Sequence, residues 1–366
     1  MKKLFLFAIG ATVMLASCSN EEDAQMVNDG DKVRVELNAT TTPSVVATKS
    51  PIIGASFETD TKVTVLGLAK NGIGDWTNDA NHLFGNANGV TATVTTDGAV
   101  NFDGGQTYYY PTGANTSVEY TFLASYPEQP WNVTGTSATN TFPIDGTTDV
   151  LYACAEVNGG YNARYFRNEE LTPTKPVLQF NHMLTKLEFY LQKGESGDNL
   201  DDLTSAVITK IELAGIPNEM NLTVNKSEQL KTDNLTDITN FSGSATIPLY
   251  DFDRLNAEDD PTYTNEKADE VEVNGNDEIP FGYAIVPSAQ DMEKQYSVIV
   301  YIKRADDTEG EAEALDPITL PNEYLQGNSY NIVLKVYGYR QITFDKATLK
   351  PWTSVTNPED VIDVNN

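Results

Sequence analysis

Two histidines, two cysteines and a large excess of carboxylates are the side chains in this 366-residue chain that could do chemistry. His82 and His182 stand far apart, and neither belongs to a zinc-ligand spacing such as two histidines four apart on a helix. Cys154, in LYACAEV, could pair with His182 as a nucleophile and base. Alanines flank it, however, and no basic neighbour lowers its pKa, so the competing reading is a small buried hydrophobe. Asp251 and Asp253 alternate within an acidic stretch and invite calcium, but the central Gly and terminal Glu of an EF-hand loop are missing. Carboxylate pairs for glycoside hydrolysis can be drawn at will among 53 acids, so their existence identifies nothing. Tyr108, Tyr109 and Tyr110 precede Pro111 and, with Trp76, Trp131 and Trp352, could form a sugar-stacking platform. Alternate tyrosines in a strand equally serve one core face and one wet face. No nucleophile elbow, phosphate-cradling loop or dinucleotide fingerprint is present. The expectation is a non-enzymatic protein with no cofactor and no metal.

Cys18 has a different setting. It closes MKKLFLFAIGATVMLASC, in which two lysines and an apolar run too short to span a membrane read as an export signal. Leu15-Ala16-Ser17-Cys18 resembles a bacterial lipobox, where the signal is cut before the Cys and the thiol takes a lipid such as palmitate. The following SNEED, Ser19 to Asp23, resembles the acidic tract that sends such lipoproteins to the outer face of the cell outer membrane. Lys plus Arg number 24, which leaves a formal net charge of −29. That excludes a nucleic-acid backbone as partner and is otherwise a solvated surface.

These groups are carried by short strands. Apolar residues alternate at Val33, Val35 and Leu37, at Val118, Tyr120, Phe122 and Ala124, at Leu187, Phe189 and Leu191, and at Tyr330, Ile332, Leu334 and Val336. One apolar face per strand is the pattern of antiparallel sheets packed on one another. In GVTATVTTDGAVNF a three-residue loop, Thr96 to Gly98, would set Ala92 opposite Phe102 and Val94 opposite Val100. A brief turn capped by Ser288 is expected in SAQDMEK. Length suits two domains. Pro173 and Pro176 break the chain, so residues 32–176 form the first and 177–366 the second. Residues 1–18 are the signal and 19–31 an acidic tether; DFDRLNAEDDPTYTNEKADEVEVNGNDE is a long exposed excursion. The first strand, about 32–39, is followed by a Ser/Thr/Pro-rich segment bearing one basic residue, Lys49.

The order and spacing of the lipobox, GGQTYYYP, VEYTFLASYP, DVLYACAE, FNHMLTKLEFYL and GNSYNIVLKVYGYRQITFDKATLKPW resemble the fimbrillins, the type V pilin subunits of Bacteroidales. The resemblance spans nearly the whole chain. It implies an all-β fold of two transthyretin-like antiparallel sandwiches in tandem. It also implies a structural subunit of cell-surface fimbriae, exported as a lipoprotein, cut by a trypsin-like protease, polymerised by strand exchange, and serving adhesion or biofilm formation. The cut maps to Thr48-Lys49, where Lys replaces the commoner Arg; Arg34, inside the strand, is the alternative. Loss of Val33, Val35 and Leu37 would open an acceptor groove. The expected donor region is the last strand with the tail, through Ile342, Phe344, Leu349, Val355, Val361 and Val364. Expected partners are other fimbrial subunits, the protease, the outer membrane through the lipid on Cys18, and a host or bacterial surface ligand. The alternative is a tip or accessory adhesin, or a stand-alone surface lipoprotein, that binds glycan or host protein.

Overall fold

The structure, a computed structural model, describes residues 28–29, 32–41, 52–53, 56–57, 60–70, 76–77, 83–86, 88–112, 118–134, 137–155, 160–168, 172–194, 206–225, 239–251, 270–273, 277–288, 295–304, 312–321, 324–338 and 341–350. Cys18, Lys49, His82, Asp253, Val355, Val361, Val364 and the residues after Ser288 in SAQDMEK lie outside them. The described chain is all-β apart from one short helix, Ala163–Arg167, and one 3-10 turn, Asp103–Gly105.

Seven strands of the first half form a ladder that closes on itself. They are β1 (Leu37–Thr41), β2 (Thr61–Lys70), β3 (Val90–Val94), β4 (Ala99–Phe102), β5 (Glu119–Tyr126), β6 (Leu151–Ala155) and β7 (Val177–His182). The order around the ring is β5-β6-β7-β1-β4-β3-β2, and β2 returns to β5 through the pairing of Thr64–Lys70 with Glu119–Ser125. All neighbours are antiparallel except β1 and β7, which run parallel. The β3–β4 hairpin has the expected register, Ala92 opposite Phe102 and Val94 opposite Val100. Gly98 stands at φ +83° in its loop, a conformation other residues rarely adopt.

Inside the ring lie Val63, Val65, Ala92, Val94, Tyr120, Phe122, Ala124, Leu151, Ala153, Leu178 and Phe180. β5 and β6 bury their other face too: Leu123, Tyr152 and Cys154 join the larger core that the second half builds. That double burial explains why LYACA is apolar throughout rather than alternating. In the second half, β8 (Thr185–Lys193), β9 (Ile279–Val286), β10 (Ser329–Gly338) and β11 (Gln341–Lys350) pair in the order β9-β8-β10-β11. A second sheet is built on Ala206–Ile216 and Ser297–Arg304. Between the two faces sit Leu187, Phe189, Ile211, Val298, Ile332 and Leu334.

The halves are stitched together. Ser137–Pro143 pairs along its whole length with Glu219–Asn225, so one four-stranded sheet draws two strands from each side. Val177–His182, placed at the head of the second half on sequence grounds, is hydrogen-bonded into the ring of the first. Pro173 and Pro176 interrupt the chain before this strand, and the change of sheet comes after it, between His182 and Thr185.

Asp145 secures the seam. Its carboxylate accepts from the backbone N–H of Thr147 and Thr148, both at 2.8 Å, and from both threonine hydroxyls, while Tyr250 Oη donates to its carbonyl. Partial burial pushes its pKa up, but those four donors win and hold it below the usual 3.8. A depressed carboxylate stabilises the fold above its unfolded pKa and loses that contribution as pH falls through the folded one. Asp145→Ala should therefore lower the melting temperature by about 2 °C at pH 7. The gap from the parent should shrink steadily as the melts are repeated below pH 3.8.

Candidate functional site

The first strand is held as an insert in the ring. Its apolar side chains point inward and are all but sealed: Val33 is 3% exposed, Val35 2%, Leu37 2% and Ala39 4%. Arg34, Glu36, Asn38 and Thr40 take the other face, as the pleat requires. Two sets of partners hold the backbone. At the start, Lys32–Arg34 pairs antiparallel with Tyr109–Tyr110, and Val35 N–H donates to Tyr108 O at 2.8 Å. Further on, β1 lies between β7 and β4: Asn38 N–H donates to Pro176 O at 2.9 Å, and Ala39 N–H to Gly98 O at 2.7 Å. The parallel ladder to β7 has four pairs, Val177 to Phe180 against Asn38 to Thr41. The ladder to β4 has only two, and a cleft of about 330 Å³ runs beside it, lined by Glu36, Asn101, Gln106 and Lys175. Removing the strand would therefore open the ring and expose an apolar slot with unpaired backbone on both rims.

Side chains mark the rims. Lys175 Nζ meets Glu36 Oε2 at 2.9 Å, with both groups largely but not wholly buried. Lys32 Nζ lies 5.4 Å from the ring centre of Tyr109. Gly98 packs so closely that a Cβ there would come within 2.4 Å of the Ala39 carbonyl oxygen. Glycine at this position serves the hairpin loop and the close approach of the first strand together.

The residues read as candidate chemistry disperse. Tyr108 packs edge-on against Phe84 and Phe102, and Tyr110 is sealed against Phe166 and Tyr120. Their shared contribution is backbone, the rung that receives the first strand, rather than a flat sugar platform. Cys154 and His182 lie on neighbouring strands but three residues out of register, about 10 Å along the ladder. His182 Nδ1 instead meets buried Asp149 at 2.5 Å, where the chain leaves the ring. Among the described residues no group of three or more His, Cys, Asp or Glu side chains could hold a metal ion.

Of the other expected site residues, Arg34 lies within the ladder opposite Tyr109 and is half-buried. Ile342, Phe344 and Leu349 sit in β11, paired along one side with β10 and packed on the larger core. β11 is the end strand of its sheet. Of the rim residues, Tyr108, Tyr110, Pro176 and Gly98 were singled out from sequence for other roles and Lys175 was not, because the strand they receive is far away along the chain.

The fimbrillin-like family matches residues 46–352. No curated protein matches the chain. Among solved structures, a candidate cell adhesion protein from Bacteroides uniformis is similar at 16% identity and TM-score 0.47, over 87% of this chain and 98% of its own. A fimbrial assembly protein from Parabacteroides distasonis is similar at 13% identity and TM-score 0.41, over 87% and 96%. The fimbrial anchor protein Mfa2 from Porphyromonas gingivalis is similar at 9% identity and TM-score 0.35, over 88% and 99%.

Proposed function

The chain belongs to the fimbrillin-like family, and from that premise we propose that it is a structural subunit of cell-surface fimbriae, assembled by strand exchange after proteolysis. The observation that carries this reading is the insert itself. Four inward side chains at the chain's start complete a ring whose other six strands are already joined edge to edge. Uncut, the subunit fills its own slot and cannot accept another strand. Cut after Lys49, it loses the insert and gains an edge that templates an incoming strand. Refilling the Val33, Val35 and Leu37 pockets would contribute roughly 1.5 to 3 kcal/mol each before ordering costs, with ladder bonds in addition.

Export would run through the signal ahead of Cys18, with lipid on that thiol holding the precursor at the outer membrane until the cut releases it. Adhesion or biofilm formation would follow from the polymer. The donor would be β11 with the residues beyond it, and the partners other subunits of the same fibre. An adhesin at a fibre tip is the second reading, favoured by the continuous pairing of β11 with β10 and the half-buried packing of Ile342, Phe344 and Leu349 on the larger core, which would have to be undone before that strand could be given away. Trypsin-like digestion of the purified precursor separates the two. A stalk subunit yields a ladder of SDS-resistant oligomers, whereas a clean cut that leaves only monomer would refute the stalk role.

A further inference from the structure

We propose that the outer face of the ring binds a neutral oligosaccharide, in a cleft of about 610 Å³ walled by Asn86, Asn88, Asp103 and Glu128. That volume is in the range of small-molecule sites. The floor is the β2–β3 ladder at Thr64 and Thr91, which are paired in register on the side of the sheet away from Val63, Val65 and Ala92. Gly89 joins wall to floor at φ +85°, and a Cβ there would stand 2.7 Å from the Val65 carbonyl oxygen. Only glycine allows so close an approach.

Three distant parts of the chain supply the walls, and each is fixed before a ligand arrives. Asp103 accepts from Thr93 Oγ1 at 3.1 Å and from Lys62 Nζ at 3.2 Å. Asn88 N–H donates to Asn86 Oδ1, and Asn88 O accepts from Trp131 N–H, both at 2.9 Å. Gln129, next to Glu128, is held through its carbonyl by Asn140 Nδ2 at 2.9 Å. Tyr108 borders the cleft with a ring locked edge-on against Phe84 and Phe102. Such preorganisation lowers the ordering cost of binding. The side chains of Asn88 and Glu128 are exposed and hydrogen-bonded to no described residue, so their donors and acceptors remain for a ligand.

These groups select the ligand class. Amides offer donors and acceptors together and carboxylates accept in pairs, the complement of adjacent sugar hydroxyls. Lys62 already balances Asp103, so the cleft does not call for a cation. The net charge of −29 repels anionic glycans. None of the described lining residues belongs to 32–49, so the cleft is the same before and after a cut at Lys49. Repeated along a fibre, on the reading above, weak single sites would gain avidity.

The test is isothermal titration of the full uncut chain with chitotriose, mannotriose, cellotriose and maltotriose, and with sialyllactose as the anionic control. At least one neutral trisaccharide should bind with a Kd of about 1 mM or tighter, and sialyllactose roughly tenfold more weakly. Glu128→Gln and Asn88→Ala should each weaken that binding about tenfold, with melting temperatures unchanged because both side chains are exposed. Glu313→Gln, exposed in the second half, should leave it unchanged. Failure of all four neutral sugars to bind, or binding indifferent to both cleft variants, would overturn the site. Equal binding of sialyllactose would overturn the preference for neutral sugars. Because the uncut monomer is titrated, failure here is distinct from failure of strand exchange.

Discussion

Lys49→Ala should leave the chain monomeric after trypsin-like digestion, under conditions in which the parent protein builds a ladder of SDS-resistant oligomers. The effect should be all-or-none, because the reaction is gated by covalent continuity rather than by affinity. As long as residues 32–41 remain tethered, they occupy the ring at an effective concentration no free strand can match. Arg34 is a poor substitute site. It is half-buried and laddered to Tyr109, so a protease would first have to peel the strand it is meant to release. Arg34→Ala should accordingly leave polymerisation unchanged, and fibres of normal length from Lys49→Ala would show that the switch lies elsewhere.

Leu37→Ala should give two opposite answers before and after assembly. Leu37 is 2% exposed and sits where the strand is flanked by β7 on one side and β4 on the other. Truncation there should cost the uncut protein about 3 kcal/mol, through lost transfer energy and the cavity left behind. Urea denaturation of the precursor would read this as a lower midpoint at unchanged slope. In the mature fibre the same substitution should be silent, since the residue has left with the released peptide. Oligomers from the variant should survive SDS and heat as the parent's do. Weakened oligomers would mean that the first strand stays in place after cleavage, and strand exchange would fail as the basis of assembly.

How much of this was legible beforehand varied with distance along the chain. The inward set Val33, Val35 and Leu37 followed from alternation alone, and the β3–β4 register from a loop that only Gly98 could close. Both are decided within a dozen residues. Ring closure was not legible, because β5 meets β2, and β7 meets β1, across long stretches of chain with no local signature. Alternation also misleads where a sheet is covered on both faces. In β8, Leu187 and Phe189 are buried as their pattern requires, yet Lys186 and Glu188, which alternate with them, are 1% exposed as well. They are tolerable there because Lys186 Nζ meets Glu188 Oε1 at 2.5 Å and lies 5.3 Å from the ring centre of Tyr283. The tyrosines of the slot failed in the opposite sense. Their type advertises ligand binding, whereas the fold uses the backbone that carries them.

One detail of the ring fixes more than a single joint. A strand seated between a parallel neighbour, β7, and an antiparallel one, β4, can satisfy both ladders in one direction only. A subunit that receives its successor this way presents different surfaces as giver and receiver, so the joint itself is heterologous. Contacts of that heterologous kind either close into a ring of subunits or repeat without end. A polymer built on this slot would be a directional filament with a distinct beginning and end. Growth and capping would then be separate events at separate ends.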